Sequence, residues 1–368
     1  MPATDHETPV MQDAKRTMEI CNACRYCEGF CAVFPAMELH RDFAAGDLTY
    51  LANLCHSCRG CYYACQYAPP HEFGLNVPKT FAELRHESYA QYAWPRALGA
   101  AFQHNGLMTA LTMAGGISVL LLLGSLFNQA NVFFGIQTPT PGAGFYLIFP
   151  KNLMILVATI SFAFAVMAMA LGVRAFWRDA GKIELKGEHF LQALRDSLTL
   201  RYLGGNGHGC NDKDESFSQG RRHMHHALAY GFLLCFAATI VGAFYDLILD
   251  QPAPYPFFSA PVLLGTTGGV LMLIGAGGLF WFKLAGDQAP QARKLLGADV
   301  ALILLLLLIA LTGLMLLWLR GTSMMGVALC IHLGLVLAFF LTMPYSKFIH
   351  GLYRYAALLR YAAQHSEK

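Results

Sequence analysis

Charge is scarce in this sequence. Asp, Glu, Lys and Arg make up 13% of its 368 residues, against about 25% in an average soluble domain. With 55% hydrophobic residues and a mean hydropathy of +0.42, the chain has too little polar surface to be wetted on all sides, and a membrane location is expected. The net charge of +3 is too small, and too spread along loops, for nucleic acid to be a partner. An apolar leader is lacking as well. Residues 1–20 carry Asp5, Glu7, Asp13, Lys15 and Arg16 without an h-region, so a disulfide framework is not expected. Strand alternation is missing from AVFPAMELHRDFAAGDLTYLANL, and no internal repeat of the kind found in transporters is visible.

Cysteine is abundant but concentrated. Eight of eleven fall in two runs, CNACRYCEGFC and CHSCRGCYYAC. Each reads C-x2-C-x2-C-x3-C, the ligand pattern of 4Fe–4S clusters. Three thiolates at intervals of three wrap one face of a cube, and the fourth reaches the other cluster. Cys21, Cys24, Cys27 and Cys65 are therefore expected on one cluster, and Cys55, Cys58, Cys61 and Cys31 on the second. Zinc prefers two separated pairs in a closed four-ligand site and suits this spacing poorly. Arg25 and Arg59, inside the runs, read either as stabilisers of anionic clusters, as a dock for an acidic partner, or as solvated charges. Cys210, Cys235 and Cys330 read as small buried hydrophobes or loop thiols.

An all-α chain follows. Residues 1–95 form a cluster module resembling a helical ferredoxin, with 1–16 as a mobile tail, and the spacer between the runs has helical periodicity. Prolines at 69, 70 and 78 break structure, and a polar helix covers 79–93. Residues 96–368 hold six apolar spans, near 106–127, 152–177, 226–247, 261–282, 298–319 and 324–345. Each reaches the ~20 residues that cross a bilayer core. Glycines 265, 269, 275, 277 and 278 suit close helix packing. Lys and Arg crowd the loops after spans two, four and six, so both termini and the module are expected in the cytoplasm. The cytoplasmic loop 178–222 contains an amphipathic surface helix, with Phe190, Leu191, Leu194, Leu198 and Leu203 on its apolar side. The following YLGGNGHGCNDKDE is turn-rich. Asp212 and Asp214 lack the companions of a calcium loop, and a plain connector is the default, with packing on the module as the functional alternative.

Histidines within spans are rare enough to suggest function. Two facing helices with imidazoles at equal depth can hold haem b. His226 and His350 match in depth and are expected as the axial ligands of one haem, with His225 the alternative on span three. His332 lies about 27 Å further along. Its level on span three carries Cys235 and Phe236, so it reads as a hydrogen-bonded bundle histidine, near a quinone pocket, and a weaker alternative ligand.

The two cysteine runs with their following residues, LGGNGHGCND and RRHMHHALAYGFLLCF resemble the tricarballylate/citrate utilisation protein B family over nearly the whole chain. That resemblance implies a multi-pass protein of the bacterial inner membrane with two 4Fe–4S clusters and haem b. It implies electron transfer: the reduced FAD of a soluble dehydrogenase, tricarballylate dehydrogenase, is reoxidised and the electrons pass to quinone, a quinone reductase activity. The last four spans are similar to the haem-binding subunit of respiratory nitrate reductase, with Phe236 standing where a second haem would find its ligand. An anchor for a heterodisulfide-reductase-like or other flavoprotein oxidoreductase, a transporter, and a redox sensor with an iron–sulfur domain are the alternatives.

Overall fold

The computed structural model describes residues 8–136, 144–181 and 183–366. Among them the chain is helical, with one isolated antiparallel bridge between Cys210 and Ser218 and no named strand. The N-terminal part is built from α1 (Pro9–Cys24), α2 (Val33–Met37), α3 (Ala45–Leu54), α4 (Gly60–Tyr63), α5 (Val77–Tyr92) and α6 (Arg96–Ala101). The expectation of a tail to residue 16 is corrected here: α1 starts at Pro9. The Thr8 side chain caps it by accepting from the Met11 amide, and Pro9 has no amide to leave unpaired. Ala14, Thr17 and Met18 turn one narrow stripe inward, against α5 among others. Residues 1–7 lie outside the described residues. Pro78 likewise opens α5, capped by Asn76.

The apolar part follows as α7 (Asn105–Leu126), short α8 (Ala130–Phe133) and α9 (Phe145–Ile148), α10 (Lys151–Asp179), α11 (Gly187–Leu198), α12 (Gly220–Leu247), α13 (Ala260–Ala285), α14 (Leu296–Leu319), α15 (Met325–Thr342) and α16 (His350–Ser366). Helices α7, α10, α12, α13, α14 and α15 are long and apolar enough to cross a membrane, and they coincide with the six expected spans. At 1.5 Å rise per residue, even the 18 residues of α15 cover about 27 Å. Multi-pass membrane insertion is the consequence.

Helix packing sets the bundle. Helices α12 and α13 meet at glycines: a Cβ on Gly268 would stand 2.7 Å from the Gly231 carbonyl oxygen and 2.8 Å from the Cys235 amide. Backbone cannot retreat as a flexible side chain can. Gly275 meets Leu228 in the same way, whereas Gly277 faces open space. Helices α7 and α15 repeat the device with Gly116 and Gly334. Charges inside the bundle are paired. Asp299 lies between Lys347, at 2.5 Å, and Lys283, and Lys151 meets Asp246 at 2.7 Å. After the last span the chain turns back, and α16 packs on both α3 and α11.

Gly268→Val is expected to force α12 and α13 apart at a cost of about 1–3 kcal/mol or more. Thermal unfolding of detergent-solubilised protein should show a clearly lowered midpoint, while Gly277→Val should leave it where it was.

Candidate functional site

The first cysteine run closes on itself by local geometry. Cys21 and Cys24 are three apart in the last turn of α1 and so share a face. Arg25 then takes a left-handed conformation (φ 56°) and caps the helix, which turns the chain back toward Cys27. Cys65 arrives just after α4. These four thiols line one cavity of about 240 Å³, together with Tyr26, Phe34 and Tyr67. Burial pushes the Cys21 thiol up to about 12, with Cys27, Cys65 and Cys24 adding to the shift. The second set gathers beside it. Cys31 is pushed well up by burial, then by Cys58 and Cys55, and Cys61 by burial, then by Cys58, Cys55 and Cys31. The structure thus brings Cys21, Cys24, Cys27 and Cys65 around one cavity and places Cys31, Cys55, Cys58 and Cys61 beside it, with Cys27 near enough to act on Cys31, Cys58 and Cys61. A cationic metal centre held among such thiols would favour their thiolate form. Among the described residues no three His, Cys, Asp or Glu side chains close on a single metal ion; the first set surrounds a larger volume instead.

The histidines sort differently from their expected order. The ring facing His350 belongs to His225, with centroids 6.1 Å apart and planes at 79°. His226 points to the other side of α12, where its Nε2 lies 3.2 Å from the Leu198 carbonyl oxygen and its ring sits against Tyr230. Depth alone cannot separate adjacent residues; the 100° step between them on a helix does. His332 bonds Thr312 through Nδ1 at 3.0 Å, as a bundle histidine does. Two imidazoles on opposite sides of one metal, each nitrogen about 2 Å from it, have ring centres about 6 Å apart. The His225–His350 spacing fits that arrangement. Burial and the neighbouring Arg354 hold His350 well below the usual imidazole range, hence neutral and able to ligate. His225 Nδ1 and Arg354 Nε are buried without a partner. Both residues line a cavity of about 260 Å³ with Arg85, Arg221 and Lys347, cations suited to the carboxylates of a haem.

Comparison with known proteins gives the family. The family model described as citrate utilization protein B Fer4-like domain matches residues 14–101, and that of citrate utilization protein B matches 103–368. A protein named citrate utilization protein B from Escherichia coli is 47% identical over 354 residues, 96% of this chain and 92% of its own length. The chain belongs to the citrate utilization protein B family. No solved structure matches it. A family chain with a Fer4-like domain and six apolar helices is consistent with iron–sulfur electron transfer at a membrane.

The loop 55–59, which carries Cys55 and Cys58, is held by guanidinium groups from three helices. Arg85 on α5 donates to the carbonyls of Ala52 (2.7 Å) and Cys55 (3.0 Å). Arg354 on α16 donates to the Cys55 carbonyl at 2.9 Å, and Arg221 on α12 to that of Ser57 at 2.6 Å. Arg59 itself is buried and donates to the Asp212 carbonyl at 2.7 Å, while Arg25 stays exposed; the two run arginines therefore differ in kind. The loop 178–222 is no plain connector. Its Asn211 amide donates to the Cys58 carbonyl at 2.9 Å. Asp212 faces Arg221 at 3.4 Å, and Cys210 is wholly buried beside Cys58.

Arg354→Met deletes a charge-assisted hydrogen bond of the kind that contributes about 1.5–3 kcal/mol. Limited proteolysis is expected to cut near residues 55–59 faster than in the parent protein, with the six spans uncut; Arg354→Lys should restore part of the protection.

Proposed function

We propose that this chain carries electrons from the reduced flavin of a soluble FAD-dependent dehydrogenase to quinone in the membrane. The dehydrogenase is one acting on a tricarballylate- or citrate-type acid. When bound, two 4Fe–4S clusters and one haem b supply one-electron carriers between a two-electron donor and a two-electron acceptor. The observation that carries the proposal is that the arginine-held loop of the second thiol set lines the same cavity as a pair of facing imidazoles.

Each part of the chain has a role in this reading. Cys21, Cys24, Cys27 and Cys65 hold the outer cluster, next to exposed Tyr26, where a soluble partner can approach. Cys31, Cys55, Cys58 and Cys61 hold the inner one; Cys55 and Cys58 are buried and their loop lies against the histidine cavity. His225 and His350 ligate the haem iron, in place of the His226–His350 pair expected from depth. Arg85 and Arg354, which line the cavity, would neutralise its carboxylates. The inner cluster is kept dry by the Cys210 loop, which strengthens every charge interaction around it. The Lys and Arg bias of the loops supports a cytoplasmic position for the module.

The purified protein should show a reduced-minus-oxidised b-type spectrum. His225→Ala and His350→Ala are each expected to abolish it, and His226→Ala to keep it. Haem retained in both of the first two variants would defeat the assignment. Anaerobically prepared protein should also hold about eight irons outside the haem, as two four-iron cubes require; replacing Cys55 and Cys58 by Ser should halve that number and leave the haem spectrum in place.

A further inference from the structure

Helix α11 presents three different sides. His189, Ala193 and Asp196 are buried on the side where the helix packs against α16. Glu188 and Arg195 are exposed on a polar flank. The third side is apolar yet uncovered: Phe190 is 44% exposed, Leu191 69%, Leu194 45% and Leu198 44%. These positions fall within about 100° of one another on a helix of 3.6 residues per turn, so they form one stripe.

The position of the stripe decides what covers it. The Leu198 carbonyl accepts from the Tyr230 hydroxyl at 2.9 Å and lies 3.2 Å from His226 Nε2. The C-terminal end of α11 is thereby fastened to the outer surface of α12, ten residues in from Gly220. From Tyr230 to Leu247, the end of α12, the helix runs about 26 Å, close to the ~30 Å of a hydrocarbon core. Tyr230 therefore stands at the edge of the core. Exposed Tyr230, with an apolar ring and a polar tip, is the kind of side chain that belts favour at that level. Leu233 on α12, 48% exposed, continues the apolar surface toward the bilayer centre. Arg195, Arg201 and Arg222 flank the helix, and Arg222 fixes its end through the Thr199 carbonyl at 2.7 Å. An apolar stripe running on from a lipid-facing surface and edged by cations matches an in-plane interfacial helix.

We propose that α11 lies in the membrane interface on the side of the cysteine module, with Phe190, Leu191, Leu194 and Leu198 entering the lipid. Because its opposite side carries α16, and α16 carries Arg354 to the loop 55–59, the lipid contact sets the height of the module above the bilayer.

The test uses the full chain in nanodiscs of phosphatidylethanolamine and phosphatidylglycerol, with p-benzoylphenylalanine placed at Leu191, Leu194 or, as a control, Glu188. After irradiation, mass spectrometry should find lipid adducts at 191 and 194 several-fold above those at 188. Equal yields at all three positions would overturn the proposal. So would adducts to a second copy or to another protein when the same variants are irradiated in native membranes. The double variant Leu191→Asp with Leu194→Asp should speed amide exchange in α11 and α16 but not in α12–α15; unchanged exchange in α16 would refute the part that gives α11 control of the module. Should that variant fail to fold, the adduct yields decide the question alone.

Discussion

Guanidinium groups buried against peptide carbonyls are the constraint on which the arrangement depends. The Cys55 carbonyl accepts from Arg85 and from Arg354, so one oxygen uses both lone pairs on cations from two helices. Arg221 and Arg59 add two more positive charges nearby, with the carboxylates of Asp212 and Asp287 beside them. Burial and the neighbouring Arg85 pull Arg354 down to about 10. Such crowding of like charge away from water is costly unless negative charge balances it. Thiolate-bound clusters on one side and haem carboxylates on the other are the counter-charges that the proposed function brings.

The bundle obeys the same rule with the opposite economy. Its few internal charges are matched within the protein: Asp299 with two lysines, Asp246 with Lys151. The remaining cohesion comes from close backbone contact at Gly231, Gly268 and Gly275, since lipid tails give helices no hydrophobic reason to associate. Low charge and abundant glycine, both visible in the composition, are therefore two consequences of one solvent.

What was legible in the sequence is what lies in local spacing. The repeated cysteine spacing was legible because Cys21, Cys24 and Cys27, and again Cys55, Cys58 and Cys61, recur at intervals of three. The six spans were legible because apolar length alone identifies them. The N-terminal helix was missed since α1 buries only Ala14, Thr17 and Met18 and is polar elsewhere. The choice between His225 and His226 depends on the rotation of α12 about its own axis, which packing against α13 fixes and depth does not. Leu203, grouped with the stripe of α11, instead falls beyond the end of that helix and is buried. The arginine contacts join residues some 30 to 300 positions apart, beyond the reach of any short motif.

The two histidines and the loop are linked in a further way. Arg221 precedes His225 by four residues on α12, and Arg354 follows His350 by four on α16. Four residues make about one turn, a rise of about 6 Å, so each arginine shares a helix face with the histidine next to it. Both arginines end on carbonyls of the loop 55–59. A helix turn is stiff, and each guanidinium has a fixed reach. The separation between the imidazole pair and the second cysteine set is therefore held by two parallel struts, one from each histidine-bearing helix. Neither helix can rotate without pulling on the loop, and the proposed conduit, passing electrons over distance, needs that constancy more than it needs motion.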